Sequence, residues 1–383
     1  MSRRSKTFLW IICFILCIAL FLYWLIVLRF REYTDDAYVE GNQMFITPLK
    51  EGFVKAIHTD DTFLVEEGQL LIELDETDAL IALDQAKENL AKVVREVCQI
   101  FYQVFAYQAE IEVKKAEYIR TAQDYEHRKK VLDVGGVSLE NYEHAEAFLR
   151  GAFYSLIMTE TLYEKSLAMV QATSIKSHPL VLSAADNLRN AFVQLYRTKI
   201  YAPAEGLCAQ RTIQVGMWVK QGEPLLSVIP LNQIWVNANF KETQLKRVKM
   251  GQKVRVFSDL YGDDVVFHGI IQGIPGGAGN TFSLLPPQNL SGNWIKIVQR
   301  LPVRVALDLE ELKKHPLRLG LSMEAYVDLH DQKGTLVPTS TIGSPTYKTS
   351  IFNQEEAGDK EMIDLIIKEN LDPNLLQYAD TPL

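Results

Sequence analysis

Residues 48–54 read PLKEGFV and residues 65–71 read VEEGQLL, and these stretches decide the fold of this 383-residue chain because both recur far downstream. The second copy reads PAEGL at residues 203–207 and VKQGEPLL at residues 219–226. In each copy the glycine of a Glu-Gly pair lies 16 positions before the glycine of V-x-x-G-x-x-L. Short apolar runs between turn residues predict strands, and we expect all four glycines to lie in turns that need a positive φ. The chain therefore contains two similar β half-motifs.

A long helical insertion separates the two half-motifs. No Pro or Gly occurs from Thr77 to Val131, and helix-forming residues dominate this segment. One seam repeats every seven residues through Leu83, Leu90, Val97, Val104, Ile111, Tyr118, Tyr125 and Leu132. Such a heptad repeat predicts a coiled coil. A second seam is apolar as far as Tyr107 and polar from Lys114 onward, so we expect broader packing at the root than at the tip.

The segment from Asp133 to Ser138 breaks this helix. Gly135 or Gly136 can close it, and Ser138 can cap the helix that follows. The returning limb repeats the seven-residue spacing at Tyr142, Leu149, Leu156, Tyr163 and Val170, and a last helical piece follows Pro179. At about 1.5 Å per residue, a limb of this length reaches roughly 80 Å. The alternative interpretation is a generic dimerisation stalk, which has no reason to lie between two halves of a β domain.

An uncharged segment at residues 7–28, TFLWIICFILCIALFLYWLIVL, predicts one membrane-spanning helix. Trp10 near one end and Tyr23 and Trp24 near the other are expected interfacial anchors. A cleaved signal peptide is the alternative, but no A-x-A site follows. Bulky residues before Cys17 argue against a lipoprotein signal. The flanking charges only slightly favour a cytoplasmic N-terminus.

The C-terminal half predicts a small β-barrel, because short strands alternate with turns. Strands are expected at residues 234–240, 250–256, 295–298, 301–307 and 325–329, with a short helix at 241–245 and a long loop at 275–293. The acidic tail contains one candidate amphipathic helix, at residues 362–367, to which we assign no function.

Composition excludes several functional classes. The net charge is −8 and the basic residues are scattered, so nucleic-acid binding is disfavoured. The four cysteines form no CxxC motif, and the seven histidines lack metal-ligand spacing. The adjacent acids Asp35 and Asp36 are interpreted as solvated. No nucleophilic triad or phosphate-binding glycine loop is visible, so we expect no metal, no cofactor and no enzymatic activity.

The two half-motifs resemble the halves of a biotinyl or lipoyl domain. In carrier domains a Lys at the hairpin between the halves takes the cofactor, whereas Asp78 and Ala79 lie near that position here. A membrane-tethered carrier subunit is therefore a disfavoured alternative. Two half-motifs separated by a helical insertion are the organisation of HlyD-type membrane fusion proteins.

Other segments are similar to the EmrA branch of the HlyD family, and the resemblance covers nearly the whole chain as far as about residue 370. The most specific segments are YTDDAYVEGN (33–42), DNLRNAFVQLYRTKIYAPAEG (186–206), IWVNANFKETQL (234–245), GQKVRV (251–256), FSLLPPQNLSGNWIKIVQRLPVRVALD (282–308) and HPLRLGLSMEAYVDL (315–329). The resemblance implies an α+β protein with an N-terminal transmembrane helix, a split lipoyl-like β-sandwich with an inserted coiled-coil hairpin, and a β-barrel.

The resemblance also implies a function. The chain would be the periplasmic adaptor of a tripartite multidrug efflux pump in the Gram-negative inner membrane, as a trimer or hexamer. It would link a major-facilitator proton antiporter to a TolC-like outer-membrane channel for export of hydrophobic toxins. The alternative keeps the adaptor role but pairs it with an ABC transporter in type I protein secretion.

There are two groups of candidate site residues, one at the hairpin tip, from the resemblance, and one in the long loop, which is apolar and expected to be exposed. Family adaptors often carry Arg-x3-Leu-x6-Ser at the tip for docking the channel; Arg128 and Leu132 fit, and Ser138 falls one residue early. These three residues could equally be a solvated charge, the last seam residue and a helix cap. In the long loop, Phe282, Leu284 and Leu285 could contact the transporter or substrate, or could pack on the barrel itself.

The sequence divides the chain into seven predicted segments. They are a cytoplasmic stub and anchor (1–31), a membrane-proximal strand (32–45), the first half-motif (46–76), the hairpin (77–199, tip about 132–139), the second half-motif (200–230), the β-barrel (231–332), and a membrane-proximal segment with the acidic tail (333–383).

Overall fold

The overall order of anchor helix, first half-motif, hairpin, second half-motif and barrel follows the sequence prediction. The computed structural model describes residues 3–26, 28–133, 135–279, 281, 298–339, 341 and 343–383. The helices are α1 (Arg3–Ile26), α2 (Thr77–Leu132), α3 (Leu139–Val170), α4 (Pro179–Tyr196), α5 (Leu309–Lys314) and α6 (Asp359–Asn370). The strands are β1 (Arg31–Gly41), β2 (Met44–Ile46), β3 (Gly52–Ile57), β4 (Leu64–Val65), β5 (Leu70–Leu74), β6 (Lys199–Tyr201), β7 (Gly206–Ala209), β8 (Trp218–Val219), β9 (Leu226–Ile229), β10 (Ile234–Lys241), β11 (Lys253–Ser258), β12 (Gly262–Gly273), β13 (Arg300–Leu307) and β14 (Ser322–Asp328).

The two half-motifs interleave in one β-sandwich. One sheet has the order β2-β9-β7-β4 and the other has the order β6-β5-β3-β8. Each strand of the first half is hydrogen-bonded in antiparallel fashion to a strand of the second half, in the pairs β2–β9, β3–β8, β4–β7 and β5–β6. The predicted split sandwich is confirmed, because neither sheet exists without both halves.

One hydrophobic core fills the sandwich and draws on both halves. Its fully buried members include Leu71 and Ile72 from the first half and Leu225 and Val228 from the second. A half-motif alone would leave these side chains in water, at a cost of about 1.5–3 kcal/mol for each large aliphatic residue. The hydrophobic effect therefore favours association of the two half-motifs, although the helical insertion separates them in sequence.

The four repeat glycines divide into two roles. Gly68 and Gly222 both have φ +80°, which confirms their predicted turn positions. The turn prediction is wrong for Gly52 and Gly206, which lie in β3 and β7. A Cβ on Gly206 would lie 2.6 Å from the carbonyl oxygen of Ile229, so this position needs glycine because two backbones approach closely.

The insertion forms a long helical hairpin whose packing tapers toward the tip. Helix α2 has 56 residues, which corresponds to roughly 84 Å at about 1.5 Å per residue. The heptad seam is buried from Leu83 to Ile111 and only half-buried at Tyr118, Tyr125 and Leu132. The predicted seam and its broader root are thus confirmed.

The C-terminal segment packs against the root of the hairpin. Ile363, Ile366 and Ile367 of α6 enter the same core as buried residues of α2 and α4. At the start of α6, Asp359 is 1% exposed, and its carboxylate lies 2.6 Å from Nε of Arg189. The sequence predicts the amphipathic helix but names no partner for it.

Further contacts attach the chain on both sides of α6 to the hairpin root. The guanidinium of Arg197 contacts the Glu355 carboxylate at 2.8 Å. The backbone N–H of Ile175 donates to the carbonyl of Tyr378 at 3.0 Å. The last segment of the chain therefore lies along the hairpin root rather than in a separate membrane-proximal unit.

The barrel closes through six antiparallel strands in the order β1-β10-β13-β12-β11-β14. Strand β1, expected as a separate membrane-proximal strand, completes the barrel, and its Ala37 and Val39 are buried in the core. Strand β12 is missing from the sequence prediction. The predicted helix at 241–245 is replaced by a single 3-10 turn at Leu245–Arg247.

The N-terminal helix α1 covers most of the predicted membrane span. Within the residues whose placement is described, no helix has both the length and the apolar character that crossing a membrane requires. Trp10 is exposed, and the side chains of Tyr23 and Trp24 lie outside the described part of the structure. The membrane anchor stays a prediction from the sequence.

Substitution of Asp359 by Ala is expected to release the C-terminal segment. Loss of the buried carboxylate leaves Arg189 without its inward partner and should destabilise the attachment locally by about 1–3 kcal/mol. Hydrogen exchange over residues 355–379 should become about tenfold faster or more. Glu310→Ala removes the exposed Lys313–Glu310 pair and should change nothing. Equal exchange in both variants would contradict the attachment.

Gly206→Ala tests the close approach within the sandwich. The added methyl meets the Ile229 carbonyl, so we expect a loss of about 1–3 kcal/mol in chemical denaturation. Gly151→Ala is the matched control, because its Cβ would meet open space on α3. This helical control should be stabilised by about 0.5–1 kcal/mol. Similar unfolding curves for the two variants would rule out the close approach.

Candidate functional site at the hairpin tip and its flank

A tight, internally bonded turn joins α2 to α3 at the tip. Gly135 has φ +75°, and its N–H donates to the carbonyl of Leu132 at 3.0 Å. The N–H of Gly136 donates to the carbonyl of Val131 at 3.0 Å. On the other side, the Ser138 hydroxyl accepts from the N–H of Asn141 at 3.2 Å, as an N-cap. The backbone groups at both helix ends are therefore largely satisfied by the turn itself.

Arg128 connects the two limbs one turn before the tip. Its Nε lies 3.1 Å from the Asp124 carboxylate, and its guanidinium donates to the backbone carbonyl of Asn141 at 3.0 Å. Arg128 and Ser138 thus bind the carbonyl and the amide of the same residue. The structure brings these two predicted docking residues together with half-buried Leu132, but it uses the two polar ones to shape the turn.

Exposed apolar side chains flank the turn, next to the exposed charged residues Lys130, Asp133 and Glu140. Val131 is 38% exposed and Leu139 is 63% exposed, on either side of the turn. Just below them, the hydroxyls of Tyr125 and Tyr142 lie 2.8 Å apart. The hydrogen bond with Tyr125 raises the pKa of Tyr142 to about 12, so this phenol is neutral at physiological pH. Val131 and Leu139 thus offer hydrophobic contact at the tip, and the tyrosine pair below them adds no charge.

A groove of about 760 Å³ lies on the flank of the hairpin below the tip. One wall, from α2, is charged and includes Lys114, Arg120 and Asp124, whereas the other wall, from α3, consists of small or apolar residues. Phe148 borders it and is 69% exposed. We call this surface the flank; its α3 members are Ala145, Ala147, Phe148, Gly151, Ala152 and Ser155.

The sequence prediction missed the flank because it considered only the heptad positions that face the other limb of the hairpin. A signal was present, since residues 147, 148, 151, 152, 154, 155 and 158 are uncharged and follow helical spacing. Exposed Tyr154 and Met158 continue this uncharged face along α3. An apolar face that no part of the described chain covers marks an interaction surface.

The second predicted site cannot be placed. Phe282, Leu284 and Leu285 lie outside the described residues. The ends of their loop are close together, because the N–H of Gly279 donates to the carbonyl of Arg300 at 3.2 Å. The loop therefore leaves and re-enters at one end of the barrel.

The described residues can be compared with the ligand sets of metal sites, and the two buried thiols with reactive cysteines. No group of three or more His, Cys, Asp or Glu in that part of the chain could hold a metal. Burial raises the pKa of both Cys98 and Cys208, which keeps these thiols protonated. Where a carrier domain has its Lys, Asp78 lies in the first turn of α2.

Two domain-family models match the hairpin and the barrel. The model for the EmrA α-helical hairpin domain matches residues 77–198, and the model for the AaeA-like β-barrel domain matches residues 233–327. A solved structure of the periplasmic adaptor protein EmrA covers 78% of this chain and 99% of its own, with a TM-score of 0.40 and 18% identity.

Two relatives match over almost their whole length. The probable multidrug resistance protein EmrK of Escherichia coli K12 is 42% identical, and the match covers 96% of this chain and 97% of the relative. The multidrug export protein EmrA of the same organism is 38% identical over 92% of this chain and 90% of its own. Such similarity across the anchor, sandwich, hairpin and barrel regions means that the chain belongs to the EmrA family of membrane fusion proteins.

Proposed function

We propose that this chain is the periplasmic adaptor of a tripartite multidrug efflux pump. Residues 7–28 would anchor it in the Gram-negative inner membrane, with the remainder in the periplasm. The observation that carries the proposal is the long hairpin held at its base by a sandwich of two paired halves. A rigid projection of roughly 80 Å is suited to bridging two membranes rather than to chemistry, so the protein would not be an enzyme.

Its partners would lie at opposite ends. The barrel end, next to the anchor, would contact an inner-membrane major-facilitator proton antiporter that supplies the energy. Phe282, Leu284 and Leu285 are proposed contacts there, with the transporter or with substrate. The hairpin tip would meet a TolC-like outer-membrane channel.

Docking at the tip would be apolar. Arg128 and Ser138 hold the backbone of Asn141 and so fix the shape of the turn. Leu132 closes the seam, and exposed Val131 and Leu139 remain for contact. The three predicted docking residues would thus shape the tip, with Arg128 and Ser138 positioning the exposed apolar side chains for contact.

Self-association would complete the duct, because one hairpin cannot enclose a channel. The flank offers an apolar wall with exposed Phe148 facing a charged wall, which suits lateral packing between hairpins of neighbouring copies. A trimer or a hexamer would satisfy this requirement.

Hydrophobic toxins are the proposed cargo. Both relatives described above are named for multidrug resistance or export, which favours drug efflux over the alternative, a type I secretion adaptor working with an ABC transporter. A biotin or lipoyl carrier is less consistent still, because Asp78 and Ala79 lie where the carrier Lys would be expected.

Deletion of the gene should sensitise cells to a panel of hydrophobic toxins and raise their intracellular accumulation. Restoring the full chain should reverse both effects. Unchanged accumulation, together with loss of a secreted protein from the medium, would support the secretion alternative and refute drug efflux.

Leu132→Asp should abolish toxin resistance without lowering the amount of protein, because it places a charge among the apolar side chains of the tip. Leu139→Asp should have the same effect and avoids the seam, since this side chain is 63% exposed. Ile81→Asp is the matched control at the hairpin root, where the side chain is 52% exposed. Resistance would be measured beside immunoblots of membrane fractions. Full resistance in both tip variants would argue against docking at this site.

A further inference from the structure

A basic surface surrounds the end of the barrel at which β1 begins; we call it the collar. It is formed by three chain segments, residues 28–31, 246–253 and 328–333. Seven cationic side chains belong to it: Arg29, Arg31, Lys246, Arg247, Lys249, Lys253 and Lys333. Five of them are exposed, and Arg247 and Lys249 are half-buried.

Phe30 is the centre on which the three segments converge. The guanidinium of Arg247 lies 5.2 Å above its ring, and the imidazole of His330 stacks on it with ring centroids 4.6 Å apart. The backbone of Phe30 also accepts a hydrogen bond from the N–H of Leu329 at 2.9 Å. The start of β1 is therefore held between the other two segments.

Hydrogen bonds fix the segments to one another. Arg247 donates to the carbonyl of Arg29 at 2.6 Å. The side-chain amides of Gln252 and Gln332 both donate to the carbonyl of Arg247, at 3.1 Å and 3.0 Å. Gln252 also donates to the carbonyl of Asp331 at 2.6 Å. The collar is thus a built surface whose backbone positions are set by side-chain hydrogen bonds, and those of Gln252 are partly buried.

The positive charge of the collar is only partly offset within the described residues, where Arg31 lies opposite Asp328 in the β1–β14 pair. None of its seven cations has a carboxylate within 4.0 Å there. The three carboxylates close by are already engaged. Asp328 accepts from the N–H of His330, Asp331 accepts from the N–H of Lys333 at 2.9 Å, and Glu32 accepts from Gln244. Seven cations against three carboxylates leave a net positive surface.

The position of the collar indicates its ligand. Its first cation, Arg29, directly follows the predicted membrane span at residues 7–28, so the collar would lie at the lipid headgroups. This placement rests on the anchor in the proposed function. We propose that the collar binds the phosphate groups of anionic phospholipids in the periplasmic leaflet of the inner membrane.

Physical considerations favour lipid over a protein partner. The cations belong to three segments around the barrel end, so they can contact several mobile lipid headgroups at once. They also lie next to the predicted anchor. Each Lys or Arg near an anionic surface strengthens binding by about 1 kcal/mol, which is about fivefold. The attraction acts over about 8–10 Å at physiological salt, so only headgroups next to the barrel end contribute. Such contacts would set the tilt of the barrel, and hence the direction of the hairpin.

The test compares lipid binding by the full chain in detergent micelles. Phosphatidylglycerol or phosphatidylcholine is added, and native mass spectrometry measures the dissociation constants. We expect tighter binding of phosphatidylglycerol. The variant Lys246→Gln/Lys253→Gln/Lys333→Gln should bind it on the order of a hundredfold more weakly. These three side chains are exposed, so the fold should be retained, which circular dichroism checks.

A matched triple variant separates the collar from general charge. Lys165→Gln/Lys220→Gln/Lys360→Gln removes the same charge from exposed sites on α3, the sandwich and α6, and should bind lipid like the unaltered chain. Equal binding of the two lipids, or equal loss in both triple variants, would overturn the proposal. So would a collar variant that loses toxin resistance with unchanged lipid binding, since the surface would then serve a protein partner.

The anchor itself is tested separately by alkaline carbonate extraction of membranes. Retention in the pellet supports the anchor, whether or not the collar prefers phosphatidylglycerol. Release into the supernatant would overturn both the anchored adaptor and the collar's location. The micelle measurement does not depend on the anchor, so failure of the lipid preference and failure of the anchor are distinguishable.

Discussion

The pairing of β strands across the helical insertion is the constraint on which the rest of the structure depends. The N–H of Leu74 donates to the carbonyl of Thr198 at 2.8 Å, and Glu73 pairs with Lys199, so the chain leaves and re-enters the sandwich at adjacent points. Loop-closure entropy rises only slowly with loop length. The hairpin lowers the entropic cost of closing this insertion further, because its antiparallel limbs return the chain to the point where it left the sandwich. Sandwich and hairpin therefore stabilise each other.

This arrangement distributes rigidity along the hairpin. At the root, α2 packs against α4 and α6, and large side chains such as Phe101 are fully buried. Beyond Ile111 no described side chain of α2 is buried, and the tip is held by hydrogen bonds around Asn141. The direction of the hairpin is therefore set by packing at its base, whereas the shape of its tip is set by local hydrogen bonds.

Local periodicity predicted most of the fold, and contacts distant in sequence account for what it missed. The heptad seam, the repeat and most strands follow from spacing within short windows. Strand β1 joins a barrel whose next strand begins at residue 234, and Arg189 meets its partner 170 positions later, so no window contains both members. The sequence places Arg128 and Ser138 near the tip, but the guanidinium of Arg128 donates to a backbone carbonyl, and backbone acceptors have no signature in the sequence. Gly206 shows the same limit, because its need for glycine comes from Ile229.

The docking of α6 on the hairpin root has a consequence for biosynthesis. Buried residues of the C-terminal segment, from Ile363 to Ala379, complete a core that otherwise belongs to residues 83–188, so the root remains open until this segment has been synthesised. During export, the hairpin would leave the translocation channel with an apolar cleft still unfilled. This cleft would therefore be exposed for longest to periplasmic chaperones that bind apolar surface. A chain truncated before residue 359 would never fill it.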